Sequence, residues 1–346
     1  MSKYKSLESL GIPYNIEFSN KLSNLLMRIA ECKPFFKSSV SHSLKVNLLR
    51  NAKVKAITYS NQIEGNPLKE EDVQKLIYSK KSTEHIQQIE IQNYADALDF
   101  LEKLALDKRF ISINDFCDIQ KLVTSGLLKK DQVGRIRTIP VSIVNVSTGN
   151  KIDSCPEPHM LKEALKDLWQ WQEDTKEINP YARAFAFHFI AIAIHPFADG
   201  NGRTIRLMQH FLLLHSGEEL ARYIPSETAI MKHRKEYYAV ICQTKKLGRL
   251  TPMLEFLADC FCEVAESVTK EARKILRKES YTPENRQHEI IKLVKKKKEI
   301  QIKDVIKLFS DVPRRTLERD MKSLCEEKKL KAKGEKKARA YILNGK

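Results

Sequence analysis

The chain has no C-x-x-C pair. Its seven cysteines are odd in number and scattered, with Cys260 and Cys262 forming a C-x-C, so neither a disulfide framework nor a zinc ribbon is signalled. It also has no long apolar run. The longest, Ala184 to Phe197, is interrupted by His188 and His195 and is too short to span a bilayer, so no membrane partner is expected. The opening MSKYKSLESLGIPYN is polar and mixed, unlike a secretory leader, and a reducing cytoplasm is the expected location. Glycine and proline are sparse, 11 and 12 in 346 residues, and they fall between periodic segments. There is no internal repeat, and the lysine run Lys295 to Lys298 is the nearest approach to low complexity.

Hydrophobic residues make up 42% of the chain, enough to bury a sizeable core and to exclude disorder over most of its length. The formal charge is +17, from 61 Lys and Arg against 44 Asp and Glu. It is uneven: Tyr281 to Lys346 holds 20 basic and 10 acidic residues, so +10 sits in that tail and the first 280 residues carry an ordinary +7. The basic excess therefore belongs to a tail module and says little about the body.

The periodicity predicts an all-α body. Two helical patterns cover 17–64, the second with Leu44, Leu48, Leu49, Ala52, Ala56, Ile57 and Ile63 mostly three and four apart. Gly65-Asn66-Pro67 ends it. Further helices are expected through about Leu104, from Asn114 to about Ser125, and from Leu161 to Glu173. Val133 to Val146, with its Val, Ile and Thr, is the one strand or hairpin signal in the body. Asn179-Pro180 reads as N-cap and first helical residue of a helix apolar on all sides, hence central to the core. A glycine-bearing loop follows, then a helix from about Gly202 to His215 and two or three more to about Lys278. In the tail, helices are expected at Arg286–Lys295, Ile302–Phe309 and from Pro313, then a basic hairpin around Gly334. Three helices and a hairpin resemble a winged helix-turn-helix, whose recognition helix would present Arg314, Arg315, Arg319 and Lys322.

The chemistry concentrates in His195 to Arg206, HPFADGNGRTIR. Gly200 and Gly202 flank Asn201 at a helix N-terminus, where free N–H groups and the helix dipole favour an anion. Arg203 and Arg206, three apart on one face, can hold further phosphate oxygens. Asp199 supplies one hard carboxylate oxygen beside that nest, which suits Mg²⁺ shared with substrate phosphates. His195 is a base for neutral pH. The set fits phosphoryl or nucleotidyl transfer. It is neither a Walker A loop, since no GK[ST] follows, nor a dinucleotide fingerprint, since Ile205 stands at the third glycine position.

The string matches the Fic motif H-x-F-x-[D/E]-G-N-G-R-x-x-R at every specified position, and the chain resembles the Fic family over roughly residues 40–262. The resemblance implies an N-terminal helical region (1–110, its inhibitory helix about 41–64) and a catalytic core (111–278); outside it, the sequence pattern itself suggests a linker (279–285) and a winged-helix-like tail (286–346). It implies transfer of AMP from ATP to a Ser, Thr or Tyr hydroxyl of a protein, self-modification included, with His195 as base and Asp199 holding Mg²⁺. Asn201 and the backbone of Gly200, Gly202 and Arg203 would cradle the phosphates, with Thr204 and Ile205 on the same helix turn and Arg203 and Arg206 at the β/γ end. The flap hairpin, through Ile143, Val144, Asn145 and Val146, would border the nucleoside with Tyr237 and Tyr238. His188 reads better as a satisfied core histidine, and helix packing is an equal reading for the tyrosines. Homo-oligomers are frequent in the family.

Glu64 stands at a helix C-terminus, where the dipole disfavours a carboxylate. SNQIEGN nevertheless matches the Fic inhibitory motif [S/T]-x-x-x-E-[G/N] at Ser60 and Glu64. The resemblance implies pairing of Glu64 with Arg206 and an autoinhibited enzyme. Two alternatives stay open: removal of AMP at the same site, and a DNA-binding regulator that uses the body as a nucleotide sensor.

Overall fold

The structure is a computed structural model and describes residues 3–38, 42–79, 85–106, 111–144, 151–280, 282–309, 312–334 and 339–344. The chain divides into two compact units, Met1–Thr269 and Lys270–Lys346. The first is mainly helical: α1 Lys5–Ser9, α2 Asn20–Ser38, α3 His42–Ile63, α4 Glu70–Ser79, α5 Ile86–Leu106, α6 Ile113–Val123, α7 Leu161–Asp174, α8 Pro180–Ile194, α9 Asn201–His215, α10 Glu227–Lys232, α11 Arg234–Leu247 and α12 Thr251–Ser280, which crosses the unit boundary. One hairpin, β1 Ser142–Val144 with β2 Lys151–Ser154, interrupts them. Among the described residues no helix is long and apolar enough to cross a membrane.

The helix α8 is the axis of this unit. Asn179 caps it, its side chain accepting from the amides of Tyr181 and Ala182, and Pro180 occupies the first position, where its missing N–H costs nothing. Every residue from Tyr181 to Ile194 is buried. Phe187 meets Phe116 and Trp169 edge-on, with centroids at 6.3 and 5.8 Å, and Phe197 closes on Phe116 at 5.0 Å. His188 is fully buried and satisfied at both ring nitrogens, by Gln209 Oε1 at 2.7 Å and Tyr237 OH at 2.8 Å. Burial, followed by the charge of Arg206, pushes its pKa down to about 3, so it is a neutral core residue. Packing of α9 along α8 buries Ile205, Leu207, Met208, Phe211 and Leu212. The helix α3 packs on α4, α5, α9 and α10, and its C-terminal end points at the start of α9.

The hairpin lies later than its sequence signal. Val133 to Val141 is loop, held outside any ladder by Arg137, whose amide donates to Pro196 O at 2.9 Å and whose guanidinium donates to His195 O, Ile139 O and Pro156 O. Strand pairing begins at Ser142 opposite Ser154, with a register shift after Ile143. The expected linker, Glu279 to Asn285, holds instead the last residues of α12 and the start of α13 (Pro283–Lys297), with Thr282 as N-cap accepting from Asn285 N.

In the second unit β3 (Glu299–Gln301) follows α13, then α14 (Ile302–Leu308), α15 (Arg314–Glu326), β4 (Leu330–Lys333) and β5 (Ala340–Leu343). The strands form an antiparallel sheet in the order β3-β5-β4. Its core is Ile290, Val294, Ile300, Val305, Leu317, Met321, Leu324 and Leu330. A buried ion pair, Arg286 with Asp320, ties α13 to α15.

Candidate active site

The loop between α8 and α9 is built on two residues with positive φ. His195 ends α8 at φ 50°, ψ 61°, a left-handed conformation that a side chain other than glycine adopts at a cost and that turns the chain sharply out of the helix. Gly200 (φ 79°) precedes α9, and a β-carbon there would stand 2.7 Å from Thr124 Cγ2, so no larger residue fits. Asn201, the first residue of α9, closes the loop on itself. Its Oδ1 accepts from Phe197 N and its Nδ2 donates to Phe197 O, each at 2.9 Å. Gln120 braces the same loop by donating to Asp199 O at 3.0 Å.

His195, Asp199, Gly200, Asn201, Gly202, Arg203, Arg206, Tyr237 and Tyr238 all border one open cleft of about 310 Å³. Val141 and Ser142 bring the start of the hairpin to its rim. Ile143 and Val144 lie in β1, while Asn145 and Val146 fall outside the described residues. Thr204 and Ile205 are fully buried and do not border the cleft. The helical period puts 202, 203 and 206 on one side of α9 and turns 204 and 205 to the core. Tyr237 is buried against His188, so it joins the cleft wall to the core; Tyr238 is the more accessible of the pair.

The electrostatics follow from three placements. Helical bonding in α9 starts with Thr204 N donating to Gly200 O, which leaves the preceding amides directed out of the helix end. Into that end projects Glu64: a β-carbon on Gly202 would collide with Glu64 Oε1 and would stand 3.1 Å from Arg206 Nη1. Arg206, almost wholly buried, donates from Nε to Ser60 Oγ (2.8 Å) and from Nη2 to Ser60 O (2.9 Å) and Glu64 Oε1 (2.8 Å). Burial would raise the Glu64 pKa, but the charges of Arg206 and then Arg203 outweigh it and hold the carboxyl below the usual range, so it is ionised. A carboxylate supplied by the chain thus stands over Gly202 at the start of α9, paired with Arg206. Arg206 Nη1 and Arg203 Nε are buried with no hydrogen-bond partner among the described residues, so each arginine keeps a donor in reserve.

His195 Nδ1 lies 3.3 Å from Ile192 O. A carbonyl oxygen only accepts, so Nδ1 carries the proton and Nε2 keeps its lone pair. Burial pushes the ring's pKa down to about 4, so it is an uncharged base at neutral pH. The Asp199 carboxylate is 63% exposed beside the nest, and one oxygen accepts from Gly200 N at 2.6 Å. A single exposed carboxylate next to a phosphate site is the donor set magnesium uses when it arrives with a nucleotide, so the residues fit that ion. Among the described residues no group of three or more His, Cys, Asp or Glu is poised around a metal.

Four contributors carry no local sequence signal. They are Glu90, which accepts from Arg203 at 2.9 Å, and Gln120, Arg137 and Tyr94, whose partners lie far along the chain or in the core.

Residues 110–213 match the Fic/DOC family. The protein adenylyltransferase fic-1 of Caenorhabditis elegans is 33% identical over 166 residues, 47% of this chain and 30% of that protein. The protein adenylyltransferase Fic of Nematostella vectensis is 25% identical over 216 residues, 61% of this chain and 48% of that one. The chain thus spans less than half the length of these relatives. Among solved structures, a Fic family protein from Desulfovibrio desulfuricans G20 superposes with a TM-score of 0.64 at 23% identity, covering 96% of this chain and 98% of that one, which shows a shared fold. Residues 134–508 of the C. elegans Fic-1 superpose with a TM-score of 0.58 at 25% identity, covering 75% of this chain and 73% of that one. The motif at His195 to Arg206, the helical fold around it and these matches agree: residues 110–213 carry a Fic/DOC domain.

Proposed function

We propose that the protein is an autoinhibited adenylyltransferase that moves AMP from ATP to a hydroxyl of a protein, its own chain included. The observation that carries the reading is a neutral histidine base at the mouth of an anion nest that has two arginines behind it. The proteins named as adenylyltransferases among the relatives support the reaction type.

The triphosphate lies along the start of α9, its oxygens taken by the free amides and by Arg203 and Arg206. The target hydroxyl enters beside the hairpin. His195 Nε2 takes its proton as the oxygen attacks the α-phosphorus; the new O–P bond forms, the bond to the β-bridging oxygen breaks, and pyrophosphate leaves. Asp199 would hold magnesium, which when bound offsets phosphate charge.

The same geometry supports a brake. With Glu64 on Arg206 and over Gly202, the γ end of ATP meets a carboxylate where it needs a cation. Nucleotide then binds in a pose unsuited to transfer. Replacing Glu64 by glycine should raise AMP incorporation by about tenfold or more, read by intact-mass spectrometry with ATP and Mg²⁺. The double variant with His195→Ala should bind ATP yet transfer nothing. An unchanged rate in Glu64→Gly rejects the brake, and transfer without His195 rejects the base.

A second activity, DNA binding by the second unit, is favoured by one observation. Arg314, Arg315, Arg319 and Lys322 are all exposed on the outer face of α15.

A further inference from the structure

We infer that Glu90 is a positioning residue that couples nucleotide on Arg203 to release of Glu64 from Arg206. The inference rests on the brake reading and adds to it a second carboxylate, which no motif marks.

Glu90, in the first turns of α5, borders the cleft and divides its two oxygens. Oε1 accepts from Arg203 Nη1 at 2.9 Å, and Oε2 accepts from Asn66 Nδ2 at 2.8 Å. Arg203 is only 4% exposed, and its other carboxylate neighbour, Asp199, is 3.8 Å away, so Glu90 sets the plane of its guanidinium. Asn66 is buried two residues beyond Glu64 in the turn that ends α3. It donates also to Gln87 O on the approach to Glu90, and its Oδ1 accepts from Leu68 N. The same turn is closed by the amides of Glu64 and Asn66, both donating to Asn61 O at 3.1 Å, with Gly65 at φ 101° between them. The turn that aims Glu64 at Arg206 is thus held from behind by the carboxylate that orients Arg203. A phosphate that draws on Arg203 loosens its hold on Glu90, and Glu90 is one of the few anchors of the Glu64 turn. The two motif arginines are therefore linked through Glu90 and Asn66.

Glutamine at position 90 tests this in the full chain. Arg203 Nη1 and Asn66 Nδ2 are both donors, and an amide has one acceptor oxygen, so Glu90→Gln must turn an NH₂ towards one of them. Two readouts are taken. Hydrogen exchange at the amides of Glu64, Gly65 and Asn66 reports the turn. Titration calorimetry of ATP into Glu64→Gly protein, with and without Glu90→Gln, reports Arg203. The expected result is exchange faster by about tenfold and ATP affinity weaker by about tenfold, the scale of one charge-assisted hydrogen bond. Asn66→Ala should speed the same exchange while leaving ATP affinity in the Glu64→Gly background within about twofold, because Glu90 stays on Arg203. Exchange or affinity unaltered by Glu90→Gln overturns the coupling, and so does an Asn66→Ala turn that exchanges no faster. Neither readout needs turnover, so failure here is distinct from failure of the brake, which an unchanged transfer rate in Glu64→Gly would reveal.

Discussion

At the scale of single residues the site is governed by burial. His195 sits at the end of an apolar helix, and its surroundings disfavour the imidazolium, which puts its pKa at about 4. A general base works in its neutral form, and this ring stays neutral down to roughly two units below an exposed histidine. Transfer by Glu64→Gly protein should therefore stay level from about pH 8 to about pH 5.5 and fall only below that. Removing Glu64 also removes a negative charge that raises the His195 pKa, so the variant's limb lies no higher than the wild type's. A rate that drops through about pH 6.5 would mean a solvated histidine and contradict this account. Gly202 shows the same economy of space. Its missing β-carbon leaves room for Glu64, and under the proposed function the same room would take a phosphate, so Gly202→Ala would exclude both and would not mimic loss of the brake.

Among the elements, α8 and α9 form the rigid part. Phe187 is central: it contacts both Phe116 and Trp169 and is 1% exposed. Phe187→Ala should cost about 3–5 kcal/mol, read as a lower urea midpoint of the full chain, because a ring-sized void beneath the loop cannot collapse within a packed helix pair. A loss under about 1 kcal/mol would show the core to be more plastic than its packing implies. The pair α8 and α9 was legible in the sequence because its signals are local: Asn179-Pro180, an apolar run, and glycines flanking Asn201. The match of Ser60 and Glu64 to Arg206 was legible through a motif. Only the first strand of the hairpin falls inside the signal at Val133 to Val146, because Val, Ile and Thr between Val133 and Val141 report β-propensity only. Arg137 and Gly134 commit that stretch to a loop, and the partner strand Lys151–Ser154 is polar. Glu90 was invisible because its meaning lies in partners 24 and 113 residues away.

For the whole molecule, charge divides with the two units. The excess of +10 lies in the last 66 residues, where, among the described residues, the buried charges are Arg286 and Asp320, which compensate each other. The four basic side chains on α15 are not equivalent. Arg314 is engaged by Glu318 at 2.8 Å and Lys322 approaches Glu326 at 3.6 Å, whereas Arg315 and Arg319 have no ion pair among the described residues. If this face meets nucleic acid, the two unpaired arginines should carry most of the phosphate contact, since the paired ones must first leave a glutamate. In a gel shift of the full chain on mixed-sequence duplex at about 50 mM salt, Arg315→Ala with Arg319→Ala should weaken binding and lower the slope of log K against log salt by about 2. Arg314→Ala with Lys322→Ala should change that slope by about half as much or less. Equal slopes for the two double variants would remove the distinction, and no retardation of the unaltered chain at low salt would leave the basic face of α15 a solvated surface.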